Sequence, residues 1–279
     1  MAGTKWEDER YSAIILVAVL IGVAAYVLAY GLQTLLYFEA RRWVSNEPEL
    51  SITPKTLTIP AASAVAAAGT IAGKPGAKAS AKNSAAAKTA HLEFFNYECE
   101  APWAGPVTPT NGSDFVDMKF PAGVTMRVYT PEAQVNDLQS LQGEDAVQQQ
   151  RMAAVFGQHP FESNYDLYDA VYSAAPGQAS AFMPRIEAEK LNSLLLWKLA
   201  FDTEMPGGTY RFESGRLRGL QFGDPEKTQS VLLRLFNERD RHFKVMITVA
   251  ASAAASSRLT QADINQVIAS FQPIPLPGE

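Results

Sequence analysis

The stretch AIILVAVLIGVAAYVLAYGL, Ala13 to Leu32, holds 20 residues without a charge or a proline, and the uncharged run around it extends from Tyr11 to Phe38. About 20 apolar residues, each rising 1.5 Å, cross a hydrocarbon core of roughly 30 Å. A core helix of a soluble domain would alternate polar and apolar faces, whereas this segment is apolar all round. A secretory signal would carry a basic start, an apolar stretch of roughly 7–15 residues and a small-residue cleavage site. Here KWEDER precedes the run, and YVLAYG matches such a site poorly. The run predicts a retained single transmembrane helix over about residues 11–38, with Trp6 and Tyr11 at one end and Tyr37, Phe38 and Trp43 at the other as headgroup-level aromatics.

Two patterns inside the helix predict a protein neighbour. Ala18, Gly22, Ala25 and Ala29 fall at i, i+4, i+7 and i+11, a smooth stripe that lets another helix approach closely. Tyr26 and Tyr30, spaced by four, would leave hydroxyls without partners if they faced lipid. The alternative is an anchor with incidental alanines. No histidine lies in the segment, so it offers no imidazole to a porphyrin metal.

Composition divides the chain into the anchor region 1–45, a linker 46–91 and a remainder 92–279 long enough for one domain with a full core. The linker is rich in alanine, carries five lysines and no aromatic residue, and is interrupted by Gly69, Gly73, Pro75 and Gly76. Such text buries too little surface to offset chain entropy, which predicts a flexible tether. The remainder holds 15 Lys and Arg against 23 Asp and Glu. An acidic domain is poorly suited to neutralising phosphates, so nucleic acid is not an expected partner. The one cysteine, Cys99, excludes an internal disulfide and a multi-cysteine metal site.

From His91 the text becomes strand-like. LEFFNYECEAPW alternates with Phe95, Tyr97, Cys99 and Ala101 on one side, and FVDMKF with VTMRVYT reads as a hairpin turning at Pro121-Ala122-Gly123. PEAQVNDLQSLQGEDAVQQQRMAAVFG is helical text with a break at Gly143 and a stop at Gly157. Ser163 with Asp166, and Thr260 with Asp263, start two further helices as capping boxes. Between them lie a long helix containing Leu191, Leu194, Leu195 and Leu199 and four strands, TYRFE, LRGLQFG, SVLLRLF and HFKVMITVA, joined by short turns that favour antiparallel neighbours. The expected class is α+β: an N-terminal transmembrane helix, a linker, and a largely antiparallel sheet with helices on both faces.

YECEAPWAGPV, SNYDLYDAVYSAAP and LTQADINQVIASFQPI, over roughly residues 92–275, resemble the text of uncharacterised bacterial envelope-associated proteins, and the order of elements is similar to that of PsbP-like domains. That resemblance implies a sandwich fold and a non-catalytic accessory role beside a membrane complex, and it transfers no metal or catalytic residue. It also favours the bacterial inner membrane with a periplasmic domain. Counting Lys5 and Arg10 against Arg41 and Arg42 leaves the orientation almost undecided.

Candidate contacts on the domain are Trp103, the aromatic-acidic pair Tyr165 and Asp166, and Arg216 with Arg218, which alternate about Leu217 and could clamp a carboxylate. No nucleophile elbow, zinc helix, CxxC pair or calcium loop is present. The expectation is therefore a single-pass accessory subunit without catalytic activity, cofactor or metal, packing against other transmembrane subunits in the bilayer of a complex such as an energy-transducing or photosynthetic one. Its alternatives are a tethered small-ligand binder and a membrane-anchored hydrolase using Cys99 or His159.

Overall fold

A computed structural model of the chain describes residues 3–60, 89–105, 107–131, 146–157, 161–201, 207–251 and 258–274. Helix α1 (Gly3–Asn46) is followed by a 3-10 turn, Pro48–Ser51, and strand β1 (Lys55–Thr58). Strands β2 (Ala90–Phe94), β3 (Tyr97–Ala101), β4 (Thr108–Asn111), β5 (Phe115–Lys119) and β6 (Val124–Tyr129) come next. The helical middle comprises α2 (Ala146–Phe156), α3 (Asn164–Ser173) and α4 (Arg185–Ala200). It leads into β7 (Thr209–Ser214), β8 (Leu217–Phe222), the one-turn helix α5 (Pro225–Thr228), β9 (Ser230–Phe236) and β10 (His242–Val249). Helix α6 (Gln261–Ser270) and the short β11 (Gln272–Pro273) follow.

Eight strands form one mixed sheet in the order β1-β7-β8-β9-β10-β6-β5-β4, antiparallel throughout except where β1 runs parallel to β7. A three-stranded sheet, β11-β3-β2, is antiparallel. The class is thus α+β with a largely antiparallel sheet. Alternation sets the register: Met118, Phe120, Val124, Met126 and Val128 are buried on one face, as their period of two requires, and Val116 is packed against the same cluster. Leu233, Leu235, Phe243, Val245 and Ile247 continue that face, which is closed by Tyr97 and Cys99 of the small sheet and by Ile264, Val267, Ile268 and Phe271 from α6. On the opposite face Leu220, Phe222, Leu232 and Phe236 pack against Tyr165, Tyr168 and Tyr172 of α3. Helices were expected on both faces; one face is instead shared between a helix and a second sheet.

Both expected caps form, the Thr260 one as a full capping box and the Ser163 one without the reciprocal bond to the Ser163 backbone, since Asp166 Oδ2 accepts from Ser163 Oγ instead. Ser163 Oγ accepts from Asp166 N, and Thr260 and Asp263 make a reciprocal capping box. Asp240, from the β9–β10 turn, adds a second cap to α3, its Oδ2 accepting from both Asn164 N and Asn164 Nδ2 at 2.7 Å. Gly157, at φ +89°, stops α2. The expected break at Gly143 lies outside the described residues.

Three differences have physical causes. LEFFNYECEAPW is a hairpin and not one strand, because Phe95 and Asn96 both adopt left-handed backbone, φ 49° and 62°, and reverse the chain in two residues. Tyr97, Cys99 and Ala101 point inward as expected, while Phe95 sits in the turn and Phe94 takes the inward place on β2. Second, part of the segment assigned to a tether is built into the fold: β1 pairs along β7, Leu57 and Ile59 pack on the core, and Leu50 is buried. Third, the apolar run does not make one straight span. No single helix among the described residues is long and apolar enough to cross a membrane; Ile15–Gly31 and Gln33–Glu39 meet the criterion only together, at 72° to each other. Tyr26 hydroxyl meets Thr34 Oγ1 at 2.9 Å across this bend, and Gln33 Nε2 donates to Ala29 O.

Lys198 holds the helical side together. It is 4% exposed, and its ammonium donates to four carbonyl oxygens: Leu50 and Ile52 just beyond α1, and Tyr172 and Ala174 at the end of α3, all at 2.6–3.0 Å. Carbonyls beyond helix termini lack intrahelical donors, and one side chain satisfies those of two separate segments.

Candidate functional site

The apolar leg of α1 is exposed to solvent along most of its length. All nine Leu, Ile and Val residues from Ile15 to Leu28 are 54–88% exposed, and Ile15 through Ile21 are exposed without interruption around the helix. Monomeric soluble domains rarely present a continuous apolar surface of this kind. Ala18, Gly22, Ala25 and Ala29 are all exposed, and a Cβ built on Gly22 would meet nothing within 4 Å. The stripe is therefore open along its length in the described chain.

Tyr26 and Tyr30 lie lower on the same leg and are engaged by the chain itself. Their rings stack at 5.6 Å, and both meet Phe182 edge-on at 6.1 and 6.2 Å. Phe182 follows the Pro176–Gln178 turn, against which α1 packs along with α4. The helix is thus seated on the domain through its lower half and bare above.

The domain candidates separate into different roles. Trp103 is buried edge-on to Phe120 at 5.1 Å and closes the core. Tyr165 is buried with the Arg218 guanidinium 4.5 Å above its ring, and Arg218 also faces Asp166 at 3.5 Å and Ser163 Oγ at 3.4 Å. Arg216 lies in the turn before β8 and meets Glu238 at 3.5 Å. The two arginines therefore face different carboxylates and do not converge on one site.

The α3 face of the sheet is a dense array of rings and charges. Arg234 donates to the Tyr168 hydroxyl at 2.7 Å and lies 4.5 Å over its ring, and Arg211 bridges Asp169 and Ser173. Burial raises the Asp169 carboxyl above its usual range. His242 stacks on Phe236 at 4.5 Å; burial, then the nearby Arg234 and Lys244, holds it well below the usual imidazole value, and its Nε2 has no hydrogen-bond partner among the described residues. A neutral, ring-stacked histidine of this kind packs two layers and offers no general base to solvent.

Cys99 is 1% exposed and packed in the core on the inner side of β3; burial pushes its thiol far up. His91 lies on the exposed side of the same hairpin, His242 belongs to the other face of the main sheet, and His159 lies outside the described residues. No Cys–His pair forms among the described residues. Cys99→Ala should accordingly lower stability by about 1 kcal/mol through a small cavity, read as a shift in the urea midpoint. The native thiol should resist a polar maleimide until the chain unfolds, and rapid labelling would refute the packing role.

No protein-family model, no curated protein and no solved structure matches the chain. Nothing in these comparisons links the chain to PsbP-like domains.

Proposed function

We propose that this chain is a non-catalytic, membrane-associated accessory subunit whose α1 enters the bilayer and seats the folded domain on a membrane complex. The observation that carries this reading is the apolar leg Ile15–Leu28, on which all nine Leu, Ile and Val side chains are more than half exposed. Surface exposed around the whole helix suits lipid, and the open Ala18, Gly22, Ala25 and Ala29 stripe suits a second helix within it. At 1.5 Å per residue, Ile15–Gly31 is about 25 Å long, close to the hydrocarbon thickness. The 72° bend would lay Gln33–Glu39 along the headgroups, with Arg41 and Arg42 following.

Carbonate-washed membranes test the first half. The full chain should stay in the pellet, and Val17→Glu with Ile21→Glu, one helical turn apart on the bare leg, should move it to the supernatant with its thermal midpoint unchanged. Wild-type protein in the supernatant would overturn the anchor. Gly22→Ile tests the second half, since among the described residues nothing lies within 4 Å of a Cβ at that position. In mild detergent the wild type should migrate with stoichiometric partners, and the variant should lose them at lower detergent; a monodisperse lone wild-type chain would leave no accessory role.

A further inference from the structure

We propose that the outer face of the β2–β3 hairpin binds a divalent transition-metal ion of the zinc type, with His91 Nε2 and the carboxylates of Glu93 and Glu98 as its protein ligands. The hairpin register places these groups together. Glu93 stands directly across from Glu98, and His91 across from Glu100, so one imidazole and three carboxylates share a single exposed face. Like charges directly opposed across a ladder are destabilising. No lysine or arginine among the described residues is ion-paired with any of the three glutamates, and the basic side chain they share is the His91 imidazole.

The distances are compatible with a ligand set. His91 Nε2 stands 3.4 Å from Glu93 Oε1 and 3.4 Å from Glu98 Oε2, longer than good N–H···O contacts in both directions. Zinc–nitrogen and zinc–oxygen bonds of about 2.0–2.1 Å in a tetrahedron separate neighbouring ligand atoms by about 3.3 Å. All three ligand atoms lie within 4.8 Å of one another, so a modest side-chain rotation of the glutamates completes the set and leaves a fourth position for water.

Groups outside the ligand set orient two of its members. His91 Nδ1 meets Glu100 Oε1 at 2.9 Å, so an Nδ1–H donated to that carboxylate would orient Nε2 toward Glu93 and Glu98 when a metal is bound. A carboxylate on the far nitrogen is the usual partner of a metal-bound histidine. Gln272 Nε2, from β11, donates to Glu98 Oε1 at 2.7 Å and leaves Oε2 for the metal. Nitrogen with two carboxylates suits zinc better than magnesium or calcium, which prefer all-oxygen shells.

Calorimetric titration of the full chain in detergent with zinc chloride, in a non-chelating buffer, tests the proposal. One saturable site per chain is expected, with the thermal midpoint rising as zinc is added. His91→Ala and Glu98→Gln should each weaken binding at least tenfold, and Glu100→Gln, which keeps all three ligands, about tenfold. The side chains of His91 and Glu93 are well exposed, so the metal-free variants should melt close to the wild type. Cobalt substituted for zinc should give the intense visible absorption of a four-coordinate ion, absent in His91→Ala. Absence of saturable binding at millimolar zinc, binding indifferent to His91→Ala, or displacement by millimolar magnesium would each overturn the site.

Discussion

Lys198→Met should lower stability by about 3 kcal/mol and loosen the seating of α1 before the rest of the domain unfolds. Methionine preserves most of the volume, so the loss isolates the ammonium. Removing it strips the Lys198 donor from four carbonyls in a site 4% exposed to solvent, and orphaned buried acceptors cost about 1–3 kcal/mol each when nothing relaxes. Burial lowers the ammonium from its ordinary 10.5 to about 8. The folded state therefore binds fewer protons than the unfolded chain between these values, so this group's contribution to stability rises as pH goes from 8 to 10.5 and is lowest below 8. Urea unfolding of both proteins from pH 7 to 10.5 checks this: the wild type should gain relative to Lys198→Met across that window. Trypsin should also cut the variant at Lys55 at urea concentrations that leave its tryptophan signal native. Equal midpoints at pH 7 would show that the carbonyls find water without cost.

Gly219→Ala should be nearly as damaging, about 2–3 kcal/mol, for a different reason. A Cβ at Gly219 in β8 would lie 2.5 Å from the Arg234 carbonyl oxygen in β9 and 2.6 Å from Phe212 Cζ in β7. The Phe212 ring fills the space that the missing side chain leaves, and the carbonyl belongs to a central ladder that cannot withdraw without breaking pairing. Shrinking the ring relieves only one contact. The double variant Gly219→Ala with Phe212→Leu should therefore lose less than the sum of the single losses, by at least about 0.5 kcal/mol. Simple additivity, or a midpoint shift smaller than that of Cys99→Ala, would show that the strands spread freely here.

The parts of this architecture that were legible in the sequence are those written in local periods. The β5–β6 hairpin, the β7–β10 meander, the Ser163 and Thr260 caps and the inward set of α6 follow from two- and 3.6-residue spacing. The turn at Phe95–Asn96 escaped because neither residue is glycine, and its left-handed backbone accompanies the pairing of Phe94 with Tyr97 across it. The role of β1 escaped because averaging composition over 46–91 hides a four-residue KTLT strand whose partner lies over 150 residues away in the chain. Long-range partners explain the candidate residues too. Arg216 and Arg218 look alike in sequence, but Glu238 claims one and the Tyr165–Asp166 pair the other. The grouping of His91 with Glu93, Glu98 and Glu100 becomes visible only once the hairpin turn is known.

Strand β1 also changes what the segment 61–88 can do mechanically. Its upstream flank is pinned at one edge of the main sheet through β1, and its downstream flank enters the small sheet at Ala90. Both flanks thus belong to one body, and the chain from α1 enters the domain at β1, ahead of residue 61. Force applied to α1 reaches the domain through its seat on Phe182 and α4 and through Glu47–Pro54, where Lys198 grips the backbone at Leu50 and Ile52. The standoff of the domain from whatever holds α1 is then set by these contacts, and inserting or removing chain within 61–88 should leave that height unchanged.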